Sequence, residues 1–463
     1  MKNFLKKIIA EKRKEVVLAK KRRPLNSFKN KLKKSARNFR KALAKEGRVA
    51  LIAEIKAASP SKGTIRKKFN LGAVAQAYDK YADTISVLTD KKFFNGSLEN
   101  LRQAGKLANR PLLRKDFIID EYQIYEARLY GANAVLLIAN ILTREQINAF
   151  IKIADSLKMV CLVEVDSIAG LKKVLQTKAS ILGINNRNLN TFKVDKNRFE
   201  KLVKKIPAKK RNGLVVVAES GYGSRKDVEK LKGIADAVLV GTSIMSSPNI
   251  KTKLLELSGR TLVKICGITN EKDANAAIKM GADFIGLNFY RKSPRYIEPP
   301  RAARIAKKLK GKVQLVGVFV NENAKTVEKI ARQCNLDLLQ FSGNESPDYI
   351  QGFKLPVIKA FHVKGRQSIG KINSFNANYV LLDAFKEGEF GGTGKSFDFS
   401  ALKKLNDRSR LFIAGGLNPA NVAKVVKEFK PFAVDVASGV EERPGKKSFA
   451  KMKKFINEVR NVQ

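Results

Sequence analysis

Short apolar segments, each followed by a loop and a charged amphipathic stretch, recur along the whole of this 463-residue chain. In the first half they are "VALIAEI" (49–55), "TISVLT" (84–89), "PLLRKD" (111–116), "AVLLIA" (134–139), "MVCLVEV" (159–165), "SILGINN" (180–186), "LVVVAES" (214–220) and "DAVLVG" (236–241). In the second they are "TLVKIC" (261–266), "DFIGLNF" (283–289), "VQLVGVFV" (313–320), "LDLLQF" (336–341), "PVIKAF" (356–361), "YVLLDAF" (379–385), "RLFIAGG" (410–416) and "FAVDVAS" (432–438). Runs this short and this rich in Val, Ile and Leu suit strands buried on both faces of a parallel sheet. Eight such units, twice over, predict an α/β chain of two (β/α)8 TIM barrels in tandem. A doubly wound sheet is the alternative, but eight units per half favour closure. The length also suits two cores better than one. The joint is expected near "LELSGRTL" (255–262), which gives domains at 1–256 and 260–463.

Composition narrows the function classes. No apolar run reaches the ~18 residues of a membrane span. The basic start, "MKNFLKKIIAEKRKEVV", interrupts its apolar residues with charges and reads as a helix, not a signal peptide. The three cysteines, Cys161, Cys266 and Cys334, suggest a reducing, cytoplasmic setting without a disulfide framework. With a single histidine, His362, a histidine-rich metal site is excluded, and neither a metal nor a cofactor is expected. The 92 basic and 42 acidic residues leave a net charge of +50, a field that attracts nucleic acid, acidic membrane or phosphorylated metabolites. The basic residues are spread along the chain without a recognition motif. A solvated Lys-rich enzyme surface is therefore the favoured reading, and a nucleic-acid-binding protein the rival.

Polar and reactive residues recur where the apolar segments end: Glu54 and Lys56, Lys115 and Asp116, Glu164, Asn185, Glu219 and Ser220, then Cys266, Asp383 and Asp435. In this fold the carboxyl ends of the strands carry the chemistry. Charges converging there are costly unless paired. Glycines follow the seventh and eighth segments of each half, at Ser220–Gly221 and Gly241–Thr242, and at Gly415–Gly416 and Ser438–Gly439. Glycine lets backbone N–H groups approach an anion, and these loops are the usual phosphate site of such barrels. They could also be tight turns. The same placement in both halves favours a phosphorylated substrate in each. Cys266 taken alone reads more readily as a packed strand-end thiol than as a reacting group.

The longer motifs carry a resemblance. Through "PLNSF" (24–28), "AEIKAASPSKGTIR" (53–66), "LLRKDFIID" (112–120), "LVEV" (162–165), "GINNRNL" (183–189), "AESG" (218–221) and "VGTSIM" (240–245), the first half resembles indole-3-glycerol-phosphate synthase. The second half resembles phosphoribosylanthranilate isomerase through "VKICGIT" (263–269), "GLNFYRKSPRYI" (286–297), "VGVFVNE" (316–322), "LLDAF" (381–385), "FGGTGKSFDF" (390–399), "AGGLNPANV" (414–422) and "FAVDVASGVE" (432–441). The resemblance implies a fused bifunctional enzyme of tryptophan biosynthesis. Its partners would be phosphorylated anthranilate substrates, with no specific nucleic acid and no membrane, and a monomer is expected. A sugar-phosphate isomerase joined to an aldolase is a rival pair of barrels.

The same resemblance implies residue roles. In the isomerase Cys266 would be the general base and Asp383 the general acid of an Amadori rearrangement. A cationic mouth would lower the thiol pKa and partial burial would raise that of Asp383. Arg295 would clamp the anthranilate carboxylate, and Gly392, Gly415, Gly416, Ser438 and Gly439 would hold the phosphate, with Asp435 facing the substrate. In the synthase Lys115 would be the cationic acid for the ketone oxygen. Lys56 would be a second cation, a candidate for phosphate or carboxylate pairing and for the dehydration. Glu54, Glu164 and Glu219 would surround the two lysines, with Glu164 the candidate base. Asn185, Arg187 and Ser220 would orient the substrate, Gly221, Gly241 and Thr242 would hold its phosphate, and Ser59–Gly63 would form a lid. The chain departs from the isomerase pattern in two places: Ser342 stands where histidine is usual, and Phe399 where tryptophan is common. His362 matches no position of that pattern and is expected just beyond the fifth strand.

Overall fold

The computed structural model describes residues 4–59, 63–66, 70–188, 191, 193–247, 249–363, 375–384 and 409–462. Two compact units divide between Gly259 and Arg260. The first contains eight parallel strands: β1 (Ala50–Ile55), β2 (Thr84–Leu88), β3 (Leu112–Lys115), β4 (Ala134–Ile138), β5 (Val160–Val165), β6 (Ile181–Asn185), β7 (Val215–Glu219) and β8 (Ala237–Val240). They form a ring in sequence order, closed by pairing of β1 with both β2 and β8. The second repeats the ring with β9 (Leu262–Cys266), β10 (Phe284–Asn288), β11 (Gln314–Phe319), β12 (Leu338–Phe341), β13 (Val357–Val363), β14 (Tyr379–Ala384), β15 (Leu411–Ile413) and β16 (Ala433–Val436), closed by β9 against β16. Both halves are therefore closed (β/α)8 barrels.

Helices cover the outer face because their apolar residues fall on one side. Helix Arg144–Ser156 buries Ile147, Phe150, Ile151 and Ala154, a 3.6-residue period, and starts in a capping box made by Thr143 and Gln146. The strands obey a period of two. Ala50 and Ile52, Ala134 and Leu136, Val215 and Val217, and Ala237 and Leu239 join one core cluster, together with Leu5 and Ile8 of the N-terminal helix α1 (Phe4–Arg22). The floor of the second barrel is aromatic. Phe284 and Phe412 lie 5.5 Å apart between ring centroids, and Tyr379 stacks on Phe432 at 4.8 Å.

A repeated latch pins the register at the amino ends of the strands. A side-chain oxygen just before one strand accepts a backbone N–H at the start of the preceding strand. Asp83 serves Leu51 (2.9 Å), Asn133 serves Leu112 (2.8 Å) and Asp236 serves Val216 (2.7 Å). In the second barrel Asp283 serves Val263 (3.0 Å), Asp337 serves Leu315 (2.9 Å) and Asn378 serves Val357 (2.8 Å). Each buried amide thus gains the partner that a strand terminus lacks.

Strand β13 continues past the apolar run that marks it in the sequence. His362 is not beyond the strand but its penultimate residue, opposite Asp383 in the β13–β14 register. Pairing with β14 extends the strand where hydrophobicity alone would end it.

Candidate active sites at the two barrel mouths

Along the inward face of the first barrel, five of the eight alternating series start apolar and end polar at the carboxyl end. Ala50 and Ile52 lead to Glu54, Leu113 to Lys115, Leu162 to Glu164, Ile181 and Gly183 to Asn185, and Val215 and Val217 to Glu219. These ends meet. Lys115 Nζ lies 2.9 Å from Glu219 and 3.4 Å from Glu164, and Lys56 Nζ lies 2.7 Å from Glu54. Asn185 donates to Glu164 (3.0 Å), and its own side-chain oxygen accepts the Arg187 backbone N–H (2.9 Å). All twelve residues expected in this mouth line one cavity: Glu54, Lys56, Ser59, Lys115, Glu164, Asn185, Arg187, Glu219, Ser220, Gly221, Gly241 and Thr242. Ser220 and Gly221 both take positive φ, 63° and 89°, which turns the chain sharply after β7. Of the expected lid, residues 60–62 lie outside the described residues; Ala58–Ser59 pairs with Gly63–Thr64 as a small hairpin.

The charges of this mouth are unequal. Burial works against the Lys115 ammonium, but Glu219, Glu164 and Glu54 together hold it well above the ordinary lysine value. Burial would also raise Glu54, yet Lys56 and Lys115 overcome it and its pKa is lowered. Glu219 goes the other way. Burial, opposed by Lys115 and reinforced by the neighbouring Glu164, pushes it up to about 8. One carboxyl of the cluster is therefore poised to carry a proton near neutral pH.

Several features of this site escaped the sequence reading. An apolar wall of Leu5, Ile8, Phe94, Phe117, Leu136 and Ile138 faces the charged cluster. Phe117 follows Lys115–Asp116 directly, the one local signal for it. A Cβ at Gly183 would strike the Glu219 carboxylate, and one at Gly241 the Glu54 carboxylate. Beside the mouth Lys12 of α1, only 3% exposed, pairs with Asp90 (2.9 Å) and Asp116 (2.8 Å). Asp116 also receives Arg114 (3.1 Å) and the Thr89 hydroxyl (2.6 Å). This network ties α1 to the loops that follow β2 and β3, the second of which begins beside Lys115.

The second mouth also gathers residues from the carboxyl ends of its strands. Cys266, Arg295, Asp383, Gly415, Gly416, Asp435 and Ser438 line one cavity, together with Gln340 and Ser342. Gly392 lies outside the described residues. Gly439 is not a lining residue; its Cα packs on the Leu417 carbonyl, where a Cβ would clash. Gly415 and Gly416 take positive φ after β15, 85° and 67°. Asp383 is half-buried. Arg295 is held by Glu441 through Nε (2.9 Å) and Nη2 (2.8 Å), and Glu441 also binds Lys447 (2.8 Å). The cationic surroundings do not lower the Cys266 thiol as expected. Burial dominates and raises it; Lys264 and Lys447 pull it down, while Asp435 pushes it up. A Cβ at Gly286 would come within 2.7 Å of the Cys266 sulfur, so the thiol also needs that glycine.

Residues 5–257 match the sequence model of the indole-3-glycerol phosphate synthase family, and residues 263–458 that of N-(5'-phosphoribosyl)anthranilate isomerase. This chain belongs to the tandem synthase–isomerase family. Among its relatives, the tryptophan biosynthesis protein TrpCF of Buchnera aphidicola subsp. Acyrthosiphon pisum is 35% identical, over 98% of this chain and 98% of its own length. TrpCF of Vibrio parahaemolyticus is 38% identical over 100% of this chain and 95% of its own length, and that of Helicobacter pylori 36% over 99% and 100%. The chain is a bifunctional tryptophan-biosynthesis enzyme, a lyase and an isomerase, and phosphorylated anthranilate-type substrates fit its two domains. Among the described residues no helix is long and apolar enough to cross a membrane.

Proposed function

We propose that the domain spanning 260–463 isomerises N-(5-phosphoribosyl)anthranilate through Asp383 and Cys266, and that the domain spanning 1–256 converts the product to indole-3-glycerol phosphate through Lys115. Asp383 protonates the ring oxygen and opens the furanose. Cys266 takes the C2′ proton to leave an enolamine, which becomes the ketone. Arg295 meets the anthranilate carboxylate, and the loops holding Gly415–Gly416 and Ser438, with Gly392, take the phosphate.

In the synthase, the apolar wall beside Phe117 receives the anthranilate ring and the loops at Gly221 and Gly241–Thr242 the phosphate. Lys115 protonates the ketone oxygen as the ring carbon attacks, and the carboxylate then leaves as CO2. Glu164 stabilises the cationic intermediate or removes its proton, and Glu219 supplies or stores a proton for the loss of water. Lys56, paired with Glu54, assists that dehydration, and Asn185, Arg187 and Ser220 orient the substrate. The enzyme acts as a cytoplasmic monomer without a specific nucleic-acid partner.

The observation that carries this reading is the meeting of Lys115 with Glu164 and Glu219 inside a cavity that sets a charged cluster against an apolar wall. The test is a pair of single substitutions assayed on each substrate separately. Lys115→Ala should cost the synthase about 10²–10⁴-fold and spare the isomerase, and Cys266→Ala should do the reverse. Cys266→Ala activity within a few-fold of the parent would reduce the thiol to packing. Loss of both activities from one folded variant would end the two-site reading.

A further inference from the structure

Lys264 stands two residues before Cys266 on β9, so both side chains leave the strand on its inward face. It is fully buried, with Nζ 2.8 Å from Asp435 on the adjoining β16, where Lys264 and Asp435 are register partners. A lysine this deep stays charged only beside a counter-charge. Asp435 is not saturated by it: its Oδ1 is buried and has no hydrogen-bond partner.

The other charges around the thiol are otherwise engaged. Lys447, on the hairpin after β16, binds Glu441 (2.8 Å) and the Ala437 carbonyl (3.1 Å). Arg295, from the loop after β10, is bound to the same Glu441. Asp383 lies across the mouth on β14. Lys264 is thus the cation whose charge is divided between a carboxylate and the thiol.

We propose that Lys264 is the positioning residue that sets the protonation of Cys266, its ammonium held in place by Asp435 and compensating the thiolate when it forms. After burial, Lys264 is the strongest influence on the thiol, and Asp435 opposes it. The two substitutions should therefore act in opposite directions. That this control serves catalysis rests on Cys266 being the isomerase base; the control of the thiol itself does not.

The test uses the full chain and two readouts: the pH midpoint of Cys266 alkylation by iodoacetamide, and the acid limb of isomerase kcat/KM. A Cys266→Ser blank subtracts Cys161 and Cys334, both buried. Lys264→Met should raise the alkylation midpoint by about one pH unit or more. Asp435→Asn should lower it, and Lys264→Arg should stay near the parent. The isomerase acid limb should follow the thiol in each folded variant. An alkylation midpoint unmoved in both Lys264→Met and Asp435→Asn overturns the proposal and leaves the base assignment standing. A midpoint that moves without the acid limb upholds Lys264 and overturns Cys266 as base. If Lys264→Met does not fold, Asp435→Asn decides alone: no downward shift overturns the proposal.

Discussion

At the scale of single residues, chemistry in this chain depends on where buried protons sit. Glu219 is the clearest case, because its carboxyl is raised to about 8 from an ordinary 4.5. Between those values the folded protein holds a proton that the unfolded chain has lost, so this group's contribution to stability falls as pH rises through that window. Glutamine cannot ionise. The melting temperature of Glu219→Gln should therefore gain on the parent from pH 6 to pH 9, while synthase turnover falls about 10²-fold or more. A flat difference across that range would mean that the carboxyl does not titrate there. Cys266 gives the complementary lesson: its sequence context points to a reacting thiol, but burial, not the cationic motif, dominates its proton affinity.

At the scale of elements, each strand has a chemical end and a structural end. The latches at the amino ends fasten neighbouring strands far from either mouth. Asp283 is heavily used, accepting from Val263 N and pairing with Arg260 (3.0 Å) and Arg460 (2.7 Å). Asp283→Ala leaves a buried amide without its partner, a loss of about 1–3 kcal/mol. Calorimetry should show a lower melting temperature for the isomerase unit, with kcat per folded molecule unchanged. A drop in kcat without a drop in melting temperature would place Asp283 in the chemistry instead. The element boundaries that sequence misjudged follow from pairing: β13 runs on to Val363 because β14 lies alongside it.

At the scale of the whole molecule, the +50 charge belongs to solution behaviour more than to catalysis. The mouths use a handful of paired cations, and the remaining basic residues are distributed along the chain. Duplex DNA should bind weakly and without sequence preference at low salt and be released near physiological salt. A fluorescence titration showing nanomolar, sequence-selective binding at about 150 mM salt would contradict this.

The sixteen strands and their order were legible because continuous apolar runs of strand length, separated by amphipathic segments, have few other ways to be buried. The mouth residues were legible too: Glu54, Lys115, Glu164 and Glu219 interrupt runs that are otherwise apolar, where an unpaired charge would be costly. What sequence could not supply is the environment of each charge. Lys12 and Lys264 look like any of the chain's many lysines, and only the closed barrels bring Asp90 and Asp116 to one and Asp435 to the other. Gly183 and Gly241 look like ordinary strand glycines until Glu219 and Glu54 occupy the space a Cβ would need. Strand periodicity decides which residues face inward; only ring closure decides which of them meet, and burial at that meeting decides which hold a proton.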